Sequence, residues 1–523
     1  MRRSPVRHVV IIGAGIGGLA AALDLSARGV RVTVIDKQAG PGGKMQEALV
    51  DGRAVDAGPT VLTLRPVFER LFADAGASLA DEVAMTAADV LARHGWSGGA
   101  TLDLFADERR SADAIAAFAG PAEARGYRAF VRAARTIHQA LRASFMEADK
   151  PATPLSLMWR GGLAGLAHFT RLDPYRSLWS MVSQHFRDPR LRQLFGRYTT
   201  YCGSSPLAAP ATLALIADVE REGVWLVEGG MRRLADALLR VARRHGATAR
   251  FETEVAQVVV ERGRAAGVRL ATGERIASDA VLLTADAAAL AAGQFGADAA
   301  RGSRPFLARD RSFSAVTLAV VGRARGFALL RHNVLFSDDG PAEFAALAGG
   351  RMPADPTVYF CAQDRPARDD ASPPQAPERL LLVLNAPADG DRHRWSAEEI
   401  DRCTTNAFTR AARCGLTLEP SACSISTPSD FERRFPATGG ALYGRASHGW
   451  MASFHRPGAR TAVPGLFCAG GSVHPGAGVP MAALSGRAAA RAILQSRAST
   501  WSFRRAAMPG GTSTPSATTA ATA

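Results

Sequence analysis

Lysine is nearly missing from this chain: Lys37, Lys44 and Lys150 are the only three in 523 residues. The positive charge, 63 Lys+Arg against 48 Asp+Glu for a net +15, is therefore carried by arginine. With alanine and glycine also frequent, this reads as a coding bias that gives a solvated basic surface. Cysteine is scarce as well. The six (Cys202, Cys361, Cys403, Cys414, Cys423, Cys468) show no CxxC or metal-like spacing. That excludes a disulfide scaffold and points to reduced thiols in a cytosolic setting. No run of about 18 uncharged apolar residues occurs, which excludes a multi-span membrane protein. Zinc fingers, RNP-type aromatics and basic heptads are absent, so nucleic acid ranks low as a partner despite the charge. There is no HExxH and no spaced Cys/His set, so no metal centre is expected. Gly470-Gly471-Ser472-Val473-His474 is not G-x-S-x-G, so it is not a hydrolase nucleophile elbow. What is present is 47% hydrophobic residues, enough for a large core, and length for roughly two to four domains.

The most informative stretch comes first. His8-Val9-Val10-Ile11-Ile12 is a short apolar burst suited to a buried parallel strand. It runs into G-x-G-x-x-G at Gly13, Gly15 and Gly18, and apolar residues then recur at Ile16, Leu19, Ala20 and Leu23 on one helical face. Gly29 is a plausible stop, and Val30 to Ile35 alternates as a second strand ending in Asp36. A strand, glycine loop, helix and strand closed by an acid make a dinucleotide site. Gly13 permits the tight turn, Gly15 lets backbone approach a pyrophosphate, and Gly18 lets the helix pack on the strand. Free N–H groups at the helix start face the phosphates, and Asp36 accepts from a ribose diol.

A second glycine-rich block lies near the other end. Leu466 to Ala469 reads as a strand, Gly470 to Pro480 as a loop, and Met481 to Leu494 as a helix with Met481, Leu484, Ala488 and Ala492 in register. A strand, a glycine loop and a helix start again suit an anionic or carbonyl-rich group.

After Asp36, Gly42-Gly43-Lys44 resembles the extended signature of the two-dinucleotide-binding-domain flavoproteins, and Asp56-Ala57-Gly58-Pro59-Thr60 resembles their D-x-G-P-T segment. Both favour FAD over NAD. His474-Pro475-Gly476-Ala477-Gly478-Val479-Pro480, followed by Ser485-Gly486-Arg487, is similar to the carboxyl-terminal signature of bacterial carotenoid desaturases of the phytoene-desaturase type. Met481 stands where phytoene desaturases usually have glycine, which resembles the branch acting on 1-hydroxylated carotenoids. Segments at Tyr198–Pro206, Gly223–Trp225, Glu228–Met231, His332–Asp339, Tyr359–Arg365, Gly440–Gly444 and His448–Met451 point the same way. The resemblance runs over roughly residues 6 to 495.

It implies an α/β fold, a two-dinucleotide-binding-domain flavoprotein with a Rossmann-like FAD domain and a discontinuous mixed α+β substrate domain. The expected division is 1–65, 229–290 and 455–497 for the FAD domain, 66–228 and 291–454 for the substrate and membrane-facing domain, and 498–523 as a disordered tail. FAD would meet Gly13, Gly15, Gly18, Asp36, Lys44, Gly58 and Pro59 at one end of the chain and Gly470, Gly471, Gly476, Val479 and Pro480 at the other. Val255 would offer backbone to the adenine. Leu234, Ala237, Leu238 and Val241 form a helical stripe ending near Gly246. Ala249 to Leu270 reads as β structure broken at Gly263 and Gly267, and Ala280 to Asp286 as a buried strand. Residues 66–228 are expected to be mainly helical. Residues 291–454 are expected to alternate strands with one helix, capped by Ser396 and Glu399 and stopping near Gly415. Arg365 to Arg379 reads as a charged, proline-rich loop.

The expected reaction is FAD-dependent desaturation of a 1-hydroxylated acyclic carotenoid at C3–C4, in bacterial carotenoid biosynthesis. A hydride leaves to the flavin and a proton leaves the neighbouring carbon, so the cofactor carries the hard chemistry. His474 is the candidate catalytic residue, with His332, Arg445 and His448 beside it. Asn333, Tyr443 and His448 are the expected substrate contacts, and Asn333, Ser337 or Asp338 would bind the 1-hydroxyl. Pro154 to Phe186 mixes aromatic and apolar residues with arginines, which suits helices lying on a membrane surface. The expectation is a cytoplasmic protein, peripheral on the inner or photosynthetic membrane, for which a homo-oligomer stays open. Alternatives are a phytoene desaturase, a flavin-free isoprenoid escort of the same fold, and an amine oxidase of the same superfamily.

Overall fold

The computed structural model describes residues 6–151, 153, 156–157, 175–368 and 374–498. A five-stranded parallel sheet holds the glycine loops. Its order is Leu466–Cys468, Ala280–Leu283, His8–Ile12, Arg31–Ile35, Thr248–Arg250. The strand His8–Ile12 is buried along its whole length, as its unbroken apolar run requires of a central parallel strand. The helix Ile16–Ser26 packs against the helix Val479–Ala498, so both glycine loops meet at one sheet edge. The expected stripe lies on the helix Arg232–Arg244, where Leu234, Ala237, Leu238 and Val241 are all buried, and Gly246 follows at φ +84°.

The second large element is a seven-stranded sheet. Its order is Leu416–Ser426, Ser314–Gly326, Glu378–Ala386, Val358–Ala362, His332–Leu335, Val90–Gly95, Thr101–Phe105. One face is closed by the helix Ala397–Arg413, whose capping box of Ser396 and Glu399 forms as expected, with Gly415 just beyond it at φ +85°. The hairpin Glu47–Val50 and Arg53–Asp56 lies on the other face, where Val50 and Val55 pack on Ala319 and Val321.

Several expectations are corrected here. Residues 66–228 are not simply helical: Val90–Gly95 and Thr101–Phe105 are strands of the large sheet, and Met85–Ala87 pairs with Trp225–Val227. Gly267 does not break a strand. It sits inside Arg264–Leu270 at an irregularity in the pairing with Val255–Glu261, and glycine is required there because a Cβ would lie 2.2 Å from the Ile276 carbonyl oxygen. The expected charged loop from Arg365 ends sooner than Arg379, because Glu378 and Arg379 open the strand Glu378–Ala386; within it Arg365 is buried and forms a two-pronged ion pair with Glu378. Residues 154–155 and 158–174 of the expected interfacial segment, and residues 499–523 of the expected tail, lie outside the described residues. The described helix Leu178–His185 buries Leu178, Met181 and Val182 in the core instead of turning them to a membrane. The six cysteines are all free thiols.

Residues 291–454 hold more than the one expected helix: Gly340–Ala348 and Pro428–Arg434 are helical too, and the first of these buries Glu343. Burial lifts this carboxyl to about 7, against the pull of two hydrogen bonds from Thr357. The folded chain therefore holds this proton where the unfolded chain has lost it, and stability falls as pH rises through about 4.5 to 7. Glu343→Gln should flatten that decline in thermal unfolding midpoints measured across the window; an unchanged slope would assign it to other groups.

Candidate active site

The first glycine loop has the geometry its residue types require. Gly13 sits at φ +103°, and a Cβ there would fall 2.4 Å from Thr284 Oγ1. Thr284 donates to the carbonyls of Ile12 (2.9 Å) and Gly13 (3.0 Å), locking the turn to the neighbouring strand. A Cβ on Gly18 would lie 2.2 Å from the Gly13 carbonyl oxygen, so Gly18 sets how closely the helix meets the strand. Gly15 differs: a Cβ there would meet no protein atom within 4 Å. The helix that starts after Gly15 has no side-chain cap, so its first N–H groups open onto the same space. Asp36 closes the far side. Its carboxylate accepts from Ala14 N–H (2.6 Å) and Gln38 N–H (2.8 Å), and its remaining lone pairs suit a ribose diol. An uncapped helix start, an open glycine and an acid at the next strand end fit a pyrophosphate and its ribose.

The other predicted cofactor residues gather around this loop. Gly42 N–H donates to the Ala14 carbonyl, and a Cβ on Gly43 would lie 3.1 Å from Gly15 Cα. Lys44 follows, its ammonium donating to the Leu442 carbonyl and lying 5.2 Å from the Phe435 ring centre. Burial lowers its pKa, and Asp286 opposes this. Gly58 passes so close to Lys44 that a Cβ would lie 2.0 Å from its carbonyl oxygen, and Pro59 continues half-buried. Asp56 accepts from Met231 N–H (3.2 Å), which joins the D-x-G-P-T segment to Gly229-Gly230-Met231; burial raises its pKa. Val255 opens the strand Val255–Glu261 of a separate three-stranded sheet, shortly after Arg250, whose carbonyl accepts from Asp36 N–H; the Val255 side chain is core.

The second glycine block lies against the first. A Cβ on Gly17 would come within 3.1 Å of Gly470, and Gly470 N–H donates to Ser485 Oγ (3.2 Å). Gly471 has no neighbour within 4 Å of a Cβ, Gly476 sits at φ +139°, and Val479 and Pro480 begin the last helix, two residues earlier than expected. Arg456, 3% exposed, binds three carbonyls here: Tyr443 (2.9 Å), Gly471 (3.2 Å) and Arg445 (2.7 Å).

The expected catalytic and substrate residues fare differently. His474 is buried; its Nε2 donates to the Ala148 carbonyl (3.2 Å), and its ring stands edge-on to Phe145 at 4.6 Å. That clamps the loop to residues 145–148, and no proton-transfer role follows from it. His448 Nε2 accepts from Ser205 N–H (3.0 Å) and pins two loops together. Arg445 pairs with Asp310. Tyr443 stays beside the glycine loop through Arg456, its side chain against Gly203 and its phenol pushed up to about 12 by burial. Asn333 is excluded as a substrate contact, because its amide is spent on Leu330 and on the Phe360 carbonyl. Ser337 and Asp338 are excluded too: they join Asp355, Ser97 and the fully buried Arg410 on another flank.

Reading the sequence missed the roles of Thr284 and Arg456, neither of which stands in a recognisable pattern, and took Ser485 only as part of the carboxyl-terminal signature. It also missed a polar chain of Thr60 Oγ1, Tyr359 OH (2.6 Å) and His332 Nδ1 (2.7 Å). The pairing register, with Tyr359 opposite Val334 and His332 opposite Cys361, puts Tyr359 and His332 on one face.

The model of the family "Flavin containing amine oxidoreductase" matches residues 16–494. Solved structures share the fold at low identity: putrescine oxidase bound to putrescine (TM-score 0.57, 16% identity, 93% of this chain and 98% of that one) and cyclohexylamine oxidase from Brevibacterium oxydans (TM-score 0.53, 14%, 94% and 99%). Among curated relatives, the hydroxyneurosporene desaturase of Rubrivivax gelatinosus is 49% identical over 98% of both chains. That of Cereibacter sphaeroides is 43% identical over 95% of this chain and 99% of its own. Similarity of this extent over a whole chain, on a cradle with the right shape for a dinucleotide, agrees with the resemblance carried by the motifs. This chain belongs to the flavin-containing amine oxidoreductases and, within them, to the carotenoid desaturases.

Proposed function

We propose that this chain is a FAD-dependent desaturase that introduces a C3–C4 double bond into a 1-hydroxylated acyclic carotenoid. The observation that carries this reading is 49% identity over 98% of both chains to a hydroxyneurosporene desaturase, with the dinucleotide cradle intact at Gly13, Gly15, Gly18 and Asp36. The intact cradle also speaks against a flavin-free escort. FAD is the cofactor, and when bound it supplies the two-electron acceptor.

The chain's own residues bind, orient and exclude water. Gly15 and the helix start would take the pyrophosphate, Asp36 the ribose, Val255 backbone the adenine, and Gly43, Lys44, Gly58, Pro59, Gly470, Gly471, Gly476, Val479 and Pro480 would surround the rest. In the same reading, residues 1–65, 229–290 and 455–497 form the flavin unit, and 66–228 with 291–454 the substrate unit. The inner face of the large sheet offers Tyr359, Val383 and Asn385, half-buried although they stand on central strands, as a wall for a polyene.

No described helix is long and apolar enough to cross a membrane. A surface-bound protein fits the arginine excess and the exposed ring pair of Tyr175 and Trp450, 5.1 Å apart. The test is purified holoenzyme with hydroxyneurosporene in anionic liposomes. One added conjugated double bond is expected, read as a red shift, with vesicle binding that weakens at high salt. Conversion of phytoene without conversion of the hydroxylated polyene would overturn the assignment.

A further inference from the structure

Desaturation at C3–C4 beside a 1-hydroxyl sets a geometric demand. Three bonds separate the hydroxyl oxygen from C3, about 4 Å. Whatever reads the hydroxyl must therefore stand next to the reacting bond, and so beside the flavin cradle.

One polar cluster stands there. Thr60 follows Pro59 directly, and its hydroxyl lies 2.6 Å from Tyr359 OH. Tyr359 OH in turn lies 2.7 Å from His332 Nδ1. Tyr359 and His332 come from neighbouring strands and share one face of the large sheet, because Tyr359 pairs with Val334 and His332 with Cys361. Asn333 points to the opposite face by the same parity.

Three buried nitrogens of this region lack a hydrogen-bond partner among the described residues: His332 Nε2, Arg197 Nε and Arg331 Nε. His332 is 2% exposed, and its Nε2 is unpartnered. Arg197 is 8% exposed; its Nη2 donates to Tyr201 OH (3.1 Å) while its Nε is unpartnered. The hydroxyls of Tyr198 and Tyr201 are already committed to Glu220, so neither turns to serve them. Buried polar groups are nearly always paired, so an orphaned one is available to a water or to a polar guest.

The chemistry of the guest follows from the protonation state. Burial, helped by the charges of Arg331 and Arg197, holds the His332 pKa down at about 3, so the ring is neutral. Neutral Nε2 either donates once or accepts once, depending on the tautomer Tyr359 selects. A hydroxyl, with one proton and two lone pairs, satisfies either state and can also accept from a guanidinium N–H. Val334, on the same strand face as His332, and Phe336 belong to the adjoining apolar core. A site of this kind discriminates strongly, because an analogue without the hydroxyl leaves the buried nitrogens unpaired.

We propose that His332 Nε2, oriented by Tyr359 and Thr60 and flanked by the Arg197 donor, binds the 1-hydroxyl of the substrate and makes the enzyme select a hydroxylated polyene end. This rests on the desaturase reading above. The experiment compares kcat/KM for hydroxyneurosporene and neurosporene in liposomes, using holoenzyme with full flavin content. His332→Leu should collapse the preference for the hydroxylated substrate by about 100-fold or more, and His332→Gln, which keeps a polar tip, should lose less. Tyr359→Phe keeps the ring volume and should lower the preference by about tenfold through misorientation of His332. It serves as the deciding variant if His332→Leu fails to take up flavin. An unchanged preference in flavin-loaded variants would overturn the proposal. Wild-type protein inactive on both polyenes would instead overturn the desaturase reading itself.

Discussion

Gly15→Val should give a folded, colourless protein. The backbone at Gly15 is ordinary (φ −72°), and a Cβ there would meet no protein atom within 4 Å, so the site leaves room for a side chain. The added methyls would occupy the space in front of the uncapped helix start, where the pyrophosphate belongs. Flavin affinity should fall at least about a hundredfold, which requires only about 2.8 kcal/mol of lost binding. The unfolding midpoint should match that of wild-type protein stripped of flavin, while desaturation disappears. Gly18→Val should behave differently, because its side chain collides with the Gly13 carbonyl and damages the fold itself. Visible flavin absorbance, unfolding midpoint and product yield on the three proteins decide this. A yellow, fully loaded Gly15→Val protein would contradict the placement of the cofactor.

Arg456→Met should cost about 3 kcal/mol or more, since three buried carbonyls lose a charged donor at once. Two of them belong to the Tyr443–Arg445 turn and one to Gly471, so the loss should also loosen the flavin-facing loop. A lower unfolding midpoint and faster flavin release on dilution are expected together. Arg456→Lys keeps the charge but not the fork, and should fall between the two. A normal midpoint with normal flavin retention would show that the three carbonyls find other partners.

The cradle was legible because its geometry is local. Gly13, Gly15, Gly18 and Asp36 lie on one strand, one turn, one helix and the next strand, and each glycine's role follows from spacing alone. The helix Ala397–Arg413 was legible for the same reason, through the cap at Ser396 and Glu399. The strands at Val90–Gly95 and Thr101–Phe105 were not. Val90–Gly95 pairs in parallel with His332–Leu335, and no local signal announces a partner so distant in sequence. Asn333 could not be placed from sequence, because strand parity tells which residues share a face but not which face looks inward. Its amide is engaged with Leu330 and Phe360, while the neighbouring His332 Nε2 is unpartnered among the described residues. Asp338 was beyond reach of local reading, since its partner Arg410 comes from a helix far along the chain.

The order of strands in the parallel sheet has a consequence for biosynthesis. Four strands can assemble once the ribosome has passed Leu283, but the edge strand Ala280–Leu283 waits for Leu466–Cys468, about 180 residues later. At about 5–20 residues per second, that is on the order of ten seconds or more with a fully apolar strand edge unpaired. Such an edge invites pairing with other chains. The loop Gly470–Pro480 that closes the cradle arrives later still. Flavin capture in a closed cradle is therefore a late event in the life of the nascent chain.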